Sequence, residues 1–307
     1  MNKVIMITGA NAGIGKETAR QLGKINTTEK IYLACRNLEK AKVAQKELEE
    51  LTGRKVFEII IMDVSQADSV KKAIAKLDTP VDALIMNAGG LGGKTPEKAT
   101  QDGVTTITAS NLLGHVVLVD ELIKNDKLKN IALYASSEVA RGVKKMGMEQ
   151  YQLKKASVDE FTSLFDGSAF GSKFDPVLAY SGVKLSGTLW MSSMARKYPN
   201  IKFISVSPGG TRGTDGFNDM PFLQRIMYKY VGMPIIMPLL GLSHSLESGA
   251  KRFVQSINNE KLESGVFYAS KKNVLTGPLV DQSPYYNGFS NPVYQDNANE
   301  AIHRFIN

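Results

Sequence analysis

Tyr180 and Lys184 are the two residues whose types and spacing point most directly to acid–base chemistry. They stand four apart on a stretch that begins at Asp175 and Pro176, the usual cap and first-turn residues of a helix, so both side chains share one helical face. A free tyrosine has a pKa of about 10, and a neighbouring ammonium group lowers that pKa because it favours the phenolate. We therefore expect Tyr180 to exchange a proton with an alcohol or carbonyl oxygen.

The glycines near the start of the chain predict a dinucleotide site. Residues 4–7 form an apolar, branched run typical of a buried strand, and Gly9, Gly13 and Gly15 follow before a helical stretch. Such a turn lets the backbone approach a pyrophosphate, which the positive end of the helix attracts. A plain glycine-rich turn is the alternative interpretation. The candidate contacts are Gly9, Asn11, Gly13, Ile14 and Gly15.

Further motifs follow the glycine turn in a characteristic order. The turn has the spacing TGxxxGxG, and after it come Asn87-Ala88-Gly89, Asn111, Ser137, and finally Tyr180 with Lys184. Together these motifs resemble the short-chain dehydrogenase/reductase family over nearly the whole chain. Residues 141–176 form an insertion where most members have a short connection, and this insertion resembles the branch that holds the retinol dehydrogenases and the light-dependent protochlorophyllide reductases.

The resemblance implies a role for each catalytic candidate. Tyr180 would be the acid/base, and Ser137 would polarise the substrate oxygen. Lys184 would tune the tyrosine and hold the nicotinamide ribose, while Asn111 would support a proton relay through water to Lys184. Ser136 remains an alternative to Ser137, because two serines follow the fifth strand.

The resemblance also implies contacts to a nicotinamide cofactor. Asn87 would stabilise the sheet, and the small residues after it would let the ribose lie close to the backbone. The turn after the sixth strand would surround the nicotinamide, with a threonine on its carboxamide. Because the usual threonine position holds Gly213, Thr211 and Thr214 are both candidates. The implied contacts are Asn87, Ala88, Gly89, Tyr180, Lys184, Pro208, Gly209 and Thr211.

Two strand ends bear on which cofactor binds. The second strand ends at Arg36-Asn37 without the acidic residue that usually accepts hydrogen bonds from the ribose of NAD. Arg36 suits a 2′-phosphate instead, so we expect NADP(H), with a surface arginine as the alternative. Asp63, followed by Val64 at the end of the third strand, would accept a hydrogen bond from the adenine amino group; a turn or capping aspartate is the alternative.

Strands and helices alternate along the chain, which predicts one α/β domain over residues 1–307 with a doubly wound, mostly parallel sheet. The insertion contains a capping box at Ser157 and Glu160, which predicts a small added helix. Residues 215–244 are apolar and interrupted by prolines, which favours a substrate lid. We expect later helices or strands at 65–77, from Asn111, at 245–257 and at 265–268, with an aromatic tail packed on the domain.

The net charge and the cysteine count limit the kinds of partner and location that we expect. The net charge is +8, but the basic residues occur in scattered pairs, so we expect no nucleic-acid partner. The single cysteine, Cys35, excludes an internal disulfide and favours a reducing, cytoplasmic location. We expect no signal peptide, no membrane span and no metal, while a homo-oligomer is compatible with the sequence. His115, beside apolar residues, is expected to be structural.

These observations favour an NADP(H)-dependent oxidoreductase that interconverts a carbonyl and an alcohol on a lipophilic small molecule. One alternative is a double-bond reductase like protochlorophyllide reductase. That family has a cysteine two residues after the motif lysine, where this chain has Ser186. Another alternative is a non-catalytic NADP-binding sensor, although such proteins tend to lose the tyrosine or the lysine that this chain keeps.

Overall fold

A single eight-stranded sheet organises the computed structural model, which describes residues 2–212, 240 and 242–306. The strand order is β3-β2-β1-β4-β5-β6-β7-β8, with β8 antiparallel to β7 and all other neighbours parallel. This arrangement confirms the doubly wound, mostly parallel α/β fold. The strands are β1 (Val4–Thr8), β2 (Lys30–Cys35), β3 (Phe57–Ile61), β4 (Val81–Met86), β5 (Leu128–Ala135), β6 (Lys202–Val206), β7 (Phe267–Ala269) and β8 (Val280–Asp281).

Helices cover both faces of the sheet. One hydrophobic cluster includes residues of α1, α2 and α7, and the other includes residues of α3, α4, α5, α6 and α8. The helices are α1 (Gly13–Gly23), α2 (Leu38–Thr52), α3 (Ala67–Ala75), α4 (Thr106–Lys124), α5 (Val158–Asp166), α6 (Pro176–Lys197), α7 (Leu246–Ile257) and α8 (Pro292–His303).

The apolar strands of this sheet are buried from both sides. Along β1, Ile5 and Ile7 belong to one cluster and Met6 to the other, because successive side chains point to opposite faces. A strand covered by helices on both faces therefore reads as a continuous apolar run rather than an alternating one. This is why residues 4–7 could be identified as a buried strand.

Local capping explains where several helices begin. The Asp175 carboxylate accepts hydrogen bonds from the backbone N–H groups of Val177 (2.8 Å) and Leu178 (3.0 Å), which confirms the predicted start of α6. The hydroxyl of Ser157 likewise caps α5 by accepting from the N–H of Glu160. The return contact differs from a capping box, since the Glu160 carboxylate accepts from the N–H groups of residues 154–156 instead.

Two helix starts differ from those predicted. The helix expected at Ser65 begins at Ala67, because the Ser65 hydroxyl and N–H both donate to Asp63 and hold a turn there. The helix expected from Asn111 begins at Thr106, capped by Thr105, and passes through a π-helical turn at Ala109–Leu113. A π turn widens the helix locally and alters the backbone hydrogen bonds there.

Helix α4 is the one helix in the described ranges that is long and apolar enough to cross a membrane by length and composition. The sequence analysis expected no such segment. Most of its apolar window, 72%, is buried inside the protein, as in the core helix of a globular domain. Its hydrophobicity is therefore accounted for by packing between the sheet and its neighbours.

The C-terminal part contains elements that the sequence pattern did not reveal. The last predicted strand, at 265–268, is β7 at Phe267–Ala269, and the antiparallel β8 and the helix α8 follow it. The aromatic tail packs back as expected, with the Phe289 ring 5.3 Å from that of Phe267 and 5.2 Å from that of Tyr286. Of the expected lid, 215–239 and 241 lie outside the described residues.

Candidate active site

The loops at the carboxyl ends of the parallel strands carry nearly all the predicted site residues. In an open α/β sheet this edge is where ligands bind, at the point where the strand order reverses. That reversal lies between β1 and β4 here. The predicted residues follow β1 (Gly9–Gly15), β2 (Arg36, Asn37), β3 (Asp63, Val64), β4 (Asn87–Gly89), β5 (Ser137) and β6 (Pro208, Gly209, Thr211), with Asn111 on α4 and Tyr180 and Lys184 on α6.

The glycine turn after β1 forms a cradle that suits a pyrophosphate. Gly9 and Gly13 have φ values of +67° and +52°, and a Cβ on Gly13 would meet no atom within 4 Å. A Cβ on Gly15 would lie 2.4 Å from the carbonyl oxygen of Gly9, so the turn closes tightly there. No side chain caps the N-terminus of α1, and its first turn has no acidic residue. Its N–H groups are therefore available to an anion.

The ends of β2 and β3 place the residues expected to distinguish NADP from NAD. Arg36 is exposed at the end of β2. The Asn37 side chain caps α2, accepting a hydrogen bond from the N–H of Lys40 at 2.9 Å. One carboxylate oxygen of Asp63 is occupied by the Ser65 turn, the alternative role considered for it. Contacts from Asn37 and Asp63 to a cofactor stay predictions.

Val64 and the residues after β4 are held by close packing. The carbonyl oxygen of Val64 lies 1.7 Å from where a Cβ on Gly114 would be, so α4 crosses this loop at a glycine. The Asn87 amide donates to the carbonyl oxygen of Thr8 at 3.0 Å, and the N–H of Ala88 donates to the Thr8 hydroxyl at 2.9 Å. These bonds join β4 to β1 beneath the glycine turn, consistent with the sheet-stabilising role implied for Asn87.

Asn111 lies in the π-helical turn and is fully buried. Its side-chain oxygen accepts from the N–H of Gly90 at 3.0 Å, and its amide donates to the carbonyl oxygens of Gly90 (2.7 Å) and Ile107 (2.8 Å). A Cβ on Gly89 would lie 2.3 Å from that side-chain oxygen. Asn111 therefore anchors the loop after β4, and a relay role for it stays a prediction.

A buried hydrogen-bond network runs from Thr8 through His115 to Asn111. The Thr8 hydroxyl oxygen lies 3.0 Å from His115 Nε2, and Nδ1 lies 3.2 Å from the Asn111 carbonyl oxygen. A carbonyl only accepts, so the network assigns the proton to Nδ1 and leaves Nε2 to accept from the hydroxyl. The Tyr134 hydroxyl donates to the same carbonyl at 3.0 Å. His115 is structural, as expected.

Ser137, Tyr180 and Lys184 come together at the end of β5. The Ser137 side chain interacts with the Tyr180 hydroxyl and lowers its pKa. The Lys184 ammonium lies 5.5 Å from the centre of the Tyr180 ring and 4.8 Å from that of Tyr134. Its one hydrogen-bond partner among the described residues is the carbonyl oxygen of Ala135, at 2.8 Å, so two of its donors remain for a ligand.

The neighbouring serine points elsewhere. The Ser136 hydroxyl lies 2.8 Å from that of Thr188, and Ser136 is buried. Of the two serines left open by the sequence, Ser137 is therefore the one that contacts Tyr180. Thr188 sits one turn beyond Lys184 on α6, so the other serine fixes the helix against the strand.

Burial dominates the acidities of Tyr180 and Lys184. Burial, together with the nearby Glu138 carboxylate, raises the pKa of Tyr180 to about 12, against a lowering by the Ser137 side chain. Burial lowers the pKa of Lys184 to about 7. The expected depression of the Tyr180 pKa by Lys184 was wrong for the protein alone, because removal from water disfavours the phenolate and the ammonium together.

The turn after β6 is braced by a histidine that the sequence analysis did not single out. His244 Nε2 donates to the carbonyl oxygen of Pro208 at 2.8 Å. The Thr211 hydroxyl donates to the carbonyl oxygens of Pro208 and Gly209, both at 3.2 Å. Thr211 is thus turned towards its own loop, and a carboxamide contact from it stays a prediction. Its rival Thr214 lies outside the described residues.

Sequence reasoning missed three further buried polar residues at this edge: Tyr134, Glu138 and Arg252. Glu138 directly follows Ser137, and Arg252 occupies the buried face of α7 between Gly249 and Ser256. A charged residue inside an apolar helical stripe was the available signal. Within the described residues, no group of three or more His, Cys, Asp or Glu side chains is placed to hold a metal ion.

The chain belongs to the short-chain dehydrogenase family, whose model matches residues 3–167. Human retinol dehydrogenase 11 is 31% identical over 213 residues, which are 67% of this chain and 60% of that protein. Protochlorophyllide reductase B of Hordeum vulgare is 27% identical over 292 residues, covering 87% of this chain and 70% of that protein. The chain is thus an oxidoreductase-family member similar to the branch that the sequence resembled.

Solved structures support the fold independently. L-sorbose reductase from Gluconobacter frateurii, solved with NADPH and L-sorbose, superposes with a TM-score of 0.63 at 18% identity, covering 90% of this chain and 97% of that one. Salutaridine reductase from Papaver somniferum gives a TM-score of 0.61 at 18% identity, covering 87% and 100%. At this identity the likeness establishes the fold alone.

The buried His115 generates a prediction about stability and pH. Burial lowers its pKa to about 3, with Lys184 contributing, so the unfolded chain binds a proton between about pH 6.5 and 3 that the folded chain does not. Stability therefore falls as the pH falls through that window. We expect His115→Gln to abolish about 2 kcal/mol of the loss between pH 6.5 and 4.5, measured by urea unfolding at both values.

His303 is the matched control for this prediction. Burial lowers its pKa, but the Asp120 carboxylate and the Asn299 carbonyl together outweigh burial and raise it. Its stabilisation is therefore present at low pH and is lost as the pH rises through its folded pKa. His303→Gln should leave the acid loss in place. An unchanged acid slope in His115→Gln would contradict a neutral, buried His115.

Proposed function

We propose that this protein is an NADP(H)-dependent oxidoreductase that interconverts a carbonyl and an alcohol on a lipophilic small molecule. The observation that carries the proposal is the cluster formed by Ser137, Tyr180 and Lys184 at the ligand-binding edge of the sheet, next to the turn after β4. A Cβ on Gly89 would lie 3.6 Å from the Lys184 ammonium, so the cluster and that turn border the same space.

The chain's residues divide the chemistry between them. Bound reduced nicotinamide would supply the hydride that reaches the carbonyl carbon. Tyr180, protonated at neutral pH because its pKa is about 12, donates the proton that the substrate oxygen takes up. Ser137 donates a hydrogen bond to the same oxygen and stabilises the charge that develops there. Lys184 holds the ribose with its free donors and stabilises the phenolate that the transfer leaves, which solvent then reprotonates.

The preference for NADP(H) over NAD(H) is proposed from the charged groups at the end of β2. Arg36 is exposed and forms no salt bridge with any residue in the described ranges, so its guanidinium is free to pair with a phosphate. The two residues directly after β2, Arg36 and Asn37, include no carboxylate to accept from a ribose diol. Among the similar structures, two reductases are named as NADPH complexes, which agrees with this proposal.

A lipophilic substrate is proposed on two grounds. Several similar proteins are named retinol dehydrogenases. Residues 215–244 follow the turn after β6 directly, and the sequence there is rich in large apolar side chains. We propose that this segment covers the substrate, and that the whole of 1–307 is one catalytic domain.

Ser137→Ala should lower turnover by about 10²–10³-fold, because one preorganised donor to the developing oxyanion is lost. Turnover of a carbonyl panel is followed by NADPH absorbance. Ser136→Ala is the matched control. It removes a buried bond to Thr188 and should cost about 1 kcal/mol of stability with little change in turnover. Equal losses of turnover in the two variants would contradict the assignment of Ser137.

Tyr180→Phe should lower turnover by about 10²–10⁴-fold and leave NADPH affinity intact, since phenylalanine keeps the ring and loses only the proton donor. Lys184→Met should lower both, because one side chain supplies the charge and the ribose contact. NADPH affinity is measured by fluorescence titration. Retention of most turnover in Tyr180→Phe would refute this site; under the sensor alternative, both variants would leave only small effects on binding.

Arg36→Ala should weaken NADPH binding by about 1.5–3 kcal/mol and leave NADH binding unchanged, because only the 2′-phosphate is contacted. Lys46→Ala, which removes an exposed cation further along α2, is the control for net charge. The measurement is the dissociation constant of each variant and of the parent for NADPH and for NADH. Equal affinities for NADPH and NADH in the parent protein would contradict the proposed preference.

A further inference from the structure

Glu138 and Arg252 form a buried ion pair behind the catalytic serine. Glu138 Oε1 lies 3.5 Å from Arg252 Nη1, and the two residues are only 2% and 6% exposed. Glu138 stands directly after Ser137 at the end of β5, whereas Arg252 comes from α7, far along the chain. Neither residue has a part in the chemistry described above.

The pair connects the ends of three neighbouring strands. The Glu138 carboxylate accepts hydrogen bonds from the Ser207 hydroxyl, after β6, and from the N–H of Ser270, after β7. Arg252 donates to the carbonyl oxygen of Ser207 at 3.1 Å, to the Ser270 hydroxyl at 2.8 Å and to the carbonyl oxygen of Gly277 at 2.9 Å. Every one of these contacts is between segments distant in sequence.

These contacts reach both sides of the candidate active site. Ser207 immediately precedes the Pro208-Gly209 turn, and a Cβ on Gly209 would lie 2.7 Å from Arg252 Nη1, so the turn rests on the guanidinium. On the other side, the Ser181 hydroxyl of α6 donates to the carbonyl oxygen of Val139 at 2.8 Å. The segment that carries Glu138 is thus tied to the helix that carries Tyr180.

Stability alone is a weak reason for such a pair. Removing two charges from water costs free energy that their attraction only partly offsets, and apolar replacements of buried pairs are often neutral or stabilising. Glu138 is buried directly after Ser137, and its charge acts on Tyr180, because a nearby negative charge disfavours formation of a phenolate.

We propose, on the basis of the oxidoreductase function above, that the Glu138–Arg252 pair is a positioning device that favours carbonyl reduction. Arg252 holds the Glu138 carboxylate in place, and the pair fixes Ser137 relative to the Pro208-Gly209 turn. The charge of Glu138 adds to the effect of burial in keeping the proton on Tyr180, which is the form that delivers a proton with each hydride. Alcohol oxidation needs the phenolate and is shifted to higher pH.

The other charges around Tyr180 agree with this assignment. Lys184, on the same helix, opposes Glu138, but burial lowers the Lys184 pKa to about 7 and so weakens its effect near neutral pH. Tyr134, on β5, is neutral, because burial raises its pKa well above the usual value. Arg252 and Arg141 both interact with Glu138, and Arg252 contacts it directly. After burial itself, the Glu138 carboxylate does most to raise the pKa of Tyr180.

The test compares Glu138→Gln, Arg252→Met and the double variant in the full chain. Tyr180 ionisation is followed by tyrosinate absorbance, as the difference between each protein and the same protein carrying Tyr180→Phe. The pH dependence of alcohol oxidation is measured in parallel. Glu138→Asp, which keeps the charge, and Asp159→Asn, which breaks an exposed pair with Arg304, are the controls.

Glu138→Gln should move Tyr180 ionisation and the rise in oxidation rate to lower pH by about one unit or more. Arg252→Met, which leaves the carboxylate unpaired, should move the oxidation profile the other way. The double variant leaves no buried charge without a partner, so it folds most readily of the three. Its Tyr180 should also ionise at lower pH than in the parent. Both controls should keep the parent profile.

Unchanged ionisation of Tyr180 in Glu138→Gln and the double variant would overturn the proposal. So would shifts of the same sign in Glu138→Gln and Arg252→Met, which general loosening of the site produces. The absorbance titration does not depend on turnover. A failure of the enzymatic function, seen as retained turnover in Tyr180→Phe, is therefore distinguishable from a failure of this inference.

Discussion

The burial of the Lys184 ammonium group is the constraint on which the rest of this site depends. It lies between the rings of Tyr134 and Tyr180 with a single carbonyl oxygen as its partner among the described residues. A cation in such a place loses most of its hydration, which is why its pKa falls to about 7. Two of its donors have no partner among the described residues, and the hydroxyl groups of the ribose in the proposed cofactor would suit them.

The residues around Lys184 are also held by packing and by hydrogen bonds of their own. Tyr134 fills the space that α6 leaves at Gly187, where a Cβ would lie 2.5 Å from the ring, and its hydroxyl closes the π-helical turn at Asn111. Through His115 and Thr8 the same turn is joined to the loop after β4. The π-helical turn, the loop after β4 and the end of β1 at Thr8 are thus parts of one hydrogen-bonded unit beside Lys184.

Local sequence signals identified most of the elements but not the orientation of side chains within them. The Asp175-Pro176 start of α6 could be predicted because a cap depends on residues within one turn. The sequence favoured Ser137 but left Ser136 open, since what occupies Ser136 is Thr188, across a strand–helix contact. The early start of α4 was missed for a related reason. The residues from Thr105 through the π turn do not show the regular spacing of apolar residues that identifies an α-helix in a sequence.

The pKa of Tyr180 could not be predicted from its neighbours in the sequence. Spacing on a helix identifies Lys184 as a neighbour, and from that alone the tyrosine pKa should fall. Burial and Glu138, which come from the packing of β5 against α6 and α7, act in the opposite direction and dominate. A high pKa suits a proton donor, so the role proposed for Tyr180 in carbonyl reduction rests on the three-dimensional surroundings of the motif and not on the motif alone.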